Sequence, residues 1–416
     1  MMREAKSSGI AWIGTIPKCW ETDKLKYHLR RNEPRNPGDV VVLSLYRELG
    51  VIPKDSRDDN HNVTSEDTSK YKYVRPGDFV INKMKAWQGS VAVSEYEGIV
   101  SPAYFVYEFT DDTIFKRYFH YLLRSCYKDE FMRLSGGIRV GQWDLPADAL
   151  ENTPILIPQM DEQQRIADFL DAKCAEIDAL TADIQTQIDT LEQYKRSVIT
   201  ETVTKGLNPN AEMKNSGIEW IGDMPAHWDV IRGKYILRYM QKPVREDDGV
   251  ITCFRDGEVT LRSNRREDGF TMSDKEIGYQ GIDVGDLVVH GMDGFAGAIG
   301  ISDSRGKASP VLNVLDTKQN KRYIMYYLRS MAYSDVFLAL ATGIRVRSCD
   351  LRWNKLAELS YPVPPLNEQN AIVKHIDSVL SKADAVIADK KAQLATLDEY
   401  KKSLFFEYVT GKKEIV

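Results

Sequence analysis

The feature that most constrains this fold is that the sequence occurs twice. SGIAWIGTIPKCW (8 to 20) returns as SGIEWIGDMPAHW (216 to 228), with 8 of 13 positions identical. GDFVINKM (77 to 84) returns as GDLVVHGM (285 to 292), Ser101-Pro102 as Ser309-Pro310, and GIRV (137 to 140) as GIRV (343 to 346). Aligning 158 to 205 with 364 to 411 gives 18 identities in 48 positions, among them Asp178/Asp384, Tyr194/Tyr400 and Lys195/Lys401. The period of about 207 residues is far beyond the roughly 20 to 50 of solenoid repeats, so the 416 residues hold a doubled domain pair and not an array.

Each repeat has two parts of different character. The first mixes short apolar runs, such as DVVVLSLY (39 to 46) and SPAYFVYEF (101 to 109), with Gly, Pro and Asn/Asp punctuation. It then shows one amphipathic helix near 113 to 134, mirrored near 318 to 341, and reads as a mixed α/β globule. The second part has no proline and no interior glycine, follows Pro158 or Pro364-Pro365, and stops at Gly206 or Gly411. These are helix start and stop signals, with Asp161 and Asn367 as expected N-caps and Gln164 completing a loose capping box.

Both helices carry a seam of alternating four- and three-residue steps. It runs Leu170, Cys174, Ile177, Thr181, Ile184, Ile188, Leu191, Lys195, Val198, and again Ile376, Leu380, Ala383, Ile387, Lys390, Leu394, Leu397, Lys401, Leu404. A stripe this narrow over four heptads suits a two-helix coiled coil better than a helix lying on a broad core. If the second globule's ends lie close together, the helices flanking it run antiparallel, with a pseudo-two-fold axis inside one chain. For Lys195 and Lys401 two readings stay open: they fix the register, or they snorkel from the edge of the seam.

The expected fold is therefore α/β (α+β), with two mixed globules in tandem repeat separated by two long helices that form an antiparallel coiled coil. The expected boundaries are 1–157 and 208–363 for the globules, and 158–207 and 364–416 for the helices. The net charge of −5 arises wholly in 158–207, with 5 basic and 10 acidic side chains, while each globule is neutral and free to present a basic face. No apolar stretch approaches the roughly 18 residues of a spanning helix, so a cytoplasmic protein is expected. The five cysteines form no CxxC pair and the six histidines no HxxxH, which gives zinc or a disulfide framework no support.

Two paired motifs carry a family resemblance. PQMDEQQRIADFLD (158 to 171) and PPLNEQNAIVKHID (364 to 377) open the helices, and LEQYKRSVITETVTKG (191 to 206) and LDEYKKSLFFEYVTGK (397 to 412) close them. With the SGIEWIGDMPAHW type of segment before each globule, the chain resembles the specificity subunits of Type I restriction-modification enzymes over its whole length. The resemblance implies two target-recognition domains, each reading one half of a bipartite, asymmetric double-stranded DNA site. It implies that the helices set the gap and dock two methyltransferase subunits, that restriction/translocase subunits join that core, and that this subunit has no catalysis of its own. The sequence agrees: it has no GxGxxG, no GxxxxGK[ST] and no Asn/Asp-Pro-Pro-aromatic motif. No cofactor is expected in this chain; S-adenosylmethionine, ATP and Mg are expected in the partner subunits.

Base-edge reading calls for Arg, Lys, Asn or Gln on segments able to enter a groove. In the first globule the candidates are Asn82, Lys83, Lys85 and Gln88 in NKMKAWQG (82 to 89), with Arg139 and Gln142 in GGIRVGQWD (136 to 144). In the second they are Arg255, Arg262, Arg265 and Arg266, beside Asn264, in CFRDGEVTLRSNRRED (253 to 268), with Arg345 and Arg347 in GIRVRS (343 to 348). A surface arginine is more often salt-bridged than base-reading. Arg139 and Arg345, equivalent by the repeat, fit phosphate better than base contact. HGMDGFAGAIG (290 to 300) lacks phosphate-loop spacing and reads as strand and turn, and Trp12, Trp20, Trp220 and Trp228 read as core anchors. Two other function classes stay open on residues alone: a coiled-coil adaptor that binds only protein, and an enzyme with an unrecognised nuclease or methyltransferase site.

Overall fold

A computed structural model describes residues 3–38, 40–46, 49–56, 64–65, 67–137, 143–265, 277–340 and 351–415. By contacts, the chain divides into two compact units. The first is Met1–Ile184 with Ala392–Val416, and the second is Gln185–Lys391. Each unit thus holds one globule, part of one long helix and part of the other.

The core of each globule is a four-stranded antiparallel sheet. In the first unit the order is Leu29–Arg31, Tyr104–Phe109, Phe79–Asn82, Val91–Val93; in the second it is Leu237–Met240, Leu312–Thr317, Leu287–His290, Ile299–Ile301. The run Phe79-Val80-Ile81 is buried on both sides because successive side chains point to opposite faces. Phe79 and Ile81 join the main core, while Val80 packs with Leu43, Val51, Val74, Val100 and Val106 on the other face. In the second unit Leu287 and Val289 repeat the first role and Val288 the second. Smaller strand pairs cover that second face in both units: Leu43–Tyr46 with Gly50–Pro53 and Lys72–Val74 with Gly98–Val100, then Ile251–Cys253 with Val259–Leu261 and Gln280–Ile282 with Gly306–Ala308.

The two long helices are Met160–Lys205 and Leu366–Val409. Their antiparallel pairing is visible within each unit. In the first, Phe169 lies against Tyr408 and Lys401 Nζ donates to Asp178 Oδ1 at 2.6 Å. In the second, Lys195 Nζ meets Asp384 Oδ1 at 2.6 Å and Lys390 donates to Gln187. As the number on one helix rises, the partner's falls. Every seam position is buried or half-buried except Thr181. The two lysines favour the register reading, since each reaches the aspartate that the repeat makes equivalent to the other's partner.

The helix starts differ from expectation. Asp161 and Asn367 lie inside the first turn, because the helices begin two residues earlier than caps at those positions would allow, with the Gln159 and Pro365 carbonyls accepting the first amides. The neighbour of Gln164 acts instead, as a clamp to the globule and not as a capping box. Gln163, fully buried, accepts from Phe115 N at 2.8 Å and donates to the carbonyls of Thr113 and Pro158. Gln369 repeats the clamp with Asn320 N, Gln319 and Pro364.

The helix ends are captured as well. Tyr118 Oη donates to Val409 O and Tyr323 Oη to Val203 O, both at 3.0 Å. The closing glycines, Gly206 and Gly411, have φ of +73° and +69°; a Cβ on Gly411 would lie 2.5 Å from Pro17. The single helices expected near 113–134 and 318–341 are each broken in two, at Tyr127 and at Ser334-Asp335, giving Lys116–Cys126 with Lys128–Leu134 and Lys321–Tyr333 with Val336–Ala339. Asp335 sits in the left-handed region at φ 54°, which ends the second of these. Trp20 and Trp228 are wholly buried, and Trp12 and Trp220 pack against their cores from partly exposed positions.

Candidate nucleic-acid interface

In the first unit, the strand Phe79–Asn82 opens at Asn82 into a loop that contains a short turn, Ala86–Gln88. The chain also returns to this place from 61 residues away. Lys83 Nζ meets Asp144 Oδ2 at 2.9 Å, and Leu145 N donates to Lys83 O. Trp87 and Trp143 meet edge to face, with ring centroids 5.6 Å apart. Gly136 and Asp144 exchange both backbone hydrogen bonds, closing the base of the segment between them. The two stretches singled out from sequence in this globule are therefore neighbours. Arg139 and Gln142 lie outside the described residues.

The four candidates of the 82–89 loop divide by role. Asn82 is buried, and its Oδ1 accepts from Met84 N at 3.1 Å, so it shapes the loop and does not project from it. This position is corrected from reader to scaffold, because a buried amide is already spent on its own turn. Lys83 is half-exposed and ion-paired. Lys85 is exposed, and its ammonium meets no carboxylate among the described residues. Gln88 is half-buried on the same turn.

The second unit repeats the layout with different side chains. His290 ends the strand Leu287–His290, a short turn follows at Gly294–Ala296, and Leu351 N donates to Gly291 O where Leu145 N met Lys83 O. His290 is half-buried, which pushes its pKa down, and its Nδ1 accepts from Asp293 N at 2.9 Å. Arg255 reaches this loop, with Nη2 2.8 Å from Asp293 Oδ1. Arg265 is held twice, by Asp256 at 2.6 Å and Glu258 at 3.1 Å, and lies over the Phe254 ring at 4.2 Å. Arg262 Nε donates to Thr252 Oγ1 and Asn264 Nδ2 to Thr260 Oγ1, so both brace the hairpin. Arg266, Arg345 and Arg347 lie outside the described residues.

Three of the described cations, Lys83, Arg255 and Arg265, thus hold carboxylates at part-exposed positions. Such pairs contribute about 0 to 1 kcal/mol, so exchanging the carboxylate for a phosphate costs little. Trp143 was missed as a partner of Trp87; only its place in GGIRVGQWD, beside the candidate Gln142, hinted at it. Among the described residues no group of three His, Cys, Asp or Glu side chains could hold a metal ion.

Comparison with known proteins places this geometry. A family model described as Type I restriction modification DNA specificity domain matches residues 28–190. The MjaVIII type I restriction enzyme specificity subunit of Methanocaldococcus jannaschii is 23% identical over 95% of this chain and 93% of its own. A chain from a structure concerned with complex assembly and conformational transition of the type I R-M system superposes with a TM-score of 0.69 at 14% identity, covering 96% of this chain and 99% of that one. The HsdS subunit from Thermoanaerobacter tengcongensis gives a TM-score of 0.52 at 14% identity, covering 96% and 98%. The last two are likenesses of fold.

Proposed function

The chain belongs to the specificity subunits of type I restriction-modification systems, and from that premise we propose that each globule reads one half of a split double-stranded DNA site. In this reading, 1–157 and 208–363 are the two target-recognition domains, and 158–207 and 364–416 are the spacer helices that dock two methyltransferase subunits. Restriction/translocase subunits join that assembly, which works in the cytoplasm. The subunit itself is not an enzyme. S-adenosylmethionine, ATP and Mg belong to the partners.

The observation that carries the reading is the pattern of what the duplication kept. The strands, the glutamine clamps and the helix seams recur, while the loops at the Asn82 and His290 ends carry unlike side chains. A shared frame with unlike loop tips suits an asymmetric two-part site. Lys83, Lys85, Gln88, Arg139 and Gln142 are assigned to one half, and Arg255, Arg262, Arg265, Arg266, Arg345 and Arg347 to the other. Arg139 and Arg345 are assigned to phosphate.

Sequencing the methylated bases of cells with and without the gene tests this. Loss of one split methylation motif is expected on deletion, and replacing 1–157 with another family member's globule should change one half of that motif only. An unchanged methylome on deletion would overturn the reading.

A further inference from the structure

A duplicated chain allows surface residues to be sorted by what both copies retain. A buried residue kept twice is accounted for by packing, whereas an exposed one kept twice among changed neighbours is not. Lys24-Leu25-Lys26-Tyr27-His28-Leu29-Arg30 corresponds to Arg232-Gly233-Lys234-Tyr235-Ile236-Leu237-Arg238. Leu29 and Leu237 are core residues. The retained surface is a tyrosine with cations one place before it, three before it and three after it.

Tyr27 is 59% exposed and Tyr235 75%. Neither hydroxyl has a hydrogen-bond partner among the described residues, and each ring carries its neighbouring lysine, Lys26 Nζ at 5.4 Å and Lys234 Nζ at 5.5 Å from the centroid. The cations around each ring are held by matching partners. Lys24 and Lys26 reach Asn152 Oδ1 at 3.5 and 3.0 Å, while Arg232 and Lys234 hold Glu358, the equivalent residue. Arg30 pairs with Glu108 and Arg238 with Asp316, again equivalent. The setting is built twice, and neither tyrosine belongs to the core of its unit.

The position of the patch separates it from the reading loops. On the central strand of the first sheet, Asn82 stands opposite Tyr104 and Leu29 opposite Phe109. In the second, His290 stands opposite Leu312 and Leu237 opposite Thr317. Each tyrosine therefore lies beyond the far end of a strand about 17 Å long from the loop that carries the candidate readers. Tyrosine and arginine in such settings are the residues that dominate protein interfaces.

We infer that Tyr27 with Lys26, and Tyr235 with Lys234, are matched anchor points for a protein that binds in two copies, one on each globule. For the partner's identity this rests on the function proposed above, where the component present twice is the methyltransferase subunit.

The test is titration of purified methyltransferase subunit into the full chain, with stoichiometry read by native mass spectrometry, for wild type, Tyr27→Ala, Tyr235→Ala and the double variant. Each single variant weakens one of the two binding steps by roughly tenfold, so the one-copy complex accumulates, and the double variant weakens both. Specific DNA binding by complexes assembled at saturating subunit stays unchanged. Unaltered thermal melting, expected for such exposed side chains, shows that the variants fold. Variants that titrate like wild type would overturn the inference. So would intact assembly with weakened DNA binding and a shallower salt dependence, which marks phosphate contacts. Wild-type chain that takes up no methyltransferase subunit would instead bring down the function proposed above, an outcome distinct from either.

Discussion

Arg75 and Glu97 of the first unit stand where the second has Asp283 and Arg305. In the second unit these two are joined, and Asp283 also takes Lys242, which with Arg305 holds its carboxyl down at about 2. Among the described residues the first unit has no such network there, and its Lys72 pairs with Glu33. Beneath these exchanged charges the strands match one for one, and so do the contacts that seat the long helices. Arg117 and Tyr121 grip Asp171 in one unit, and Arg322 and Tyr326 grip Asp377 in the other. Here duplication kept the strands and the grips on Asp171 and Asp377 while these surface charges were exchanged.

The sharpest way to break that comparison is at the glutamine clamps. Gln163→Leu removes three hydrogen bonds and strands the part-buried Phe115 amide, and Gln369→Leu does the same to Asn320. Each should cost about 3 kcal/mol in denaturant unfolding, with equal losses from the two sites. Markedly unequal losses would show that the clamps are alike in geometry and not in energy.

A second prediction uses an asymmetry. His120 has Met325 as its counterpart, and burial pushes the His120 pKa down to about 4. Its folded form stays neutral while the unfolded chain takes up a proton below pH ~6.5, so its contribution is complete above that pH and is lost as pH falls toward 4. Hydrogen exchange should show the amides of Lys116–Cys126 losing about 2 kcal/mol of protection across that window, and His120→Met should abolish the loss. The second unit has its own half-buried His290, so its pH response should persist in that variant. Protection in Lys116–Cys126 that is flat from pH 6.5 to 4 in the wild type would refute the assignment.

The smallest effect concerns the paired tryptophans. Trp20 Nε1 donates to Glu162 Oε2 at 2.9 Å, whereas Trp228 Nε1 is buried with no partner among the described residues and Glu368 takes His227. Trp20→Phe should therefore cost about 1 kcal/mol more than Trp228→Phe in parallel melts. The reverse order would mean that the Trp20 bond contributes nothing.

Much of this frame was legible beforehand because the repeat and the heptad seam are periodic signals, and periodicity survives without knowledge of tertiary contacts. The repeated KRYFHYLLRS (116 to 125) and KRYIMYYLRS (321 to 330) was overlooked because it falls at an offset of 205, after a shortening that follows the strand Leu312–Thr317. The capping expectation failed for a local reason: each helix starts earlier than an Asx cap would allow. The interface was harder to read. Lys83 meets Asp144 only through a return of the chain, and Asn82 reads as a base contact in composition while its amide is consumed by its own turn.

The crossed lysine–aspartate bridges have one more consequence. Residues 1–207 alone contain both halves of the bond, Asp178 and Lys195, on a single helix, as do 208–416 with Asp384 and Lys401. Two identical half-length chains would hold the same complement of donors and acceptors and could form both bridges between themselves. The duplicated sequence thus carries, within one chain, the chemistry of a symmetric homodimer.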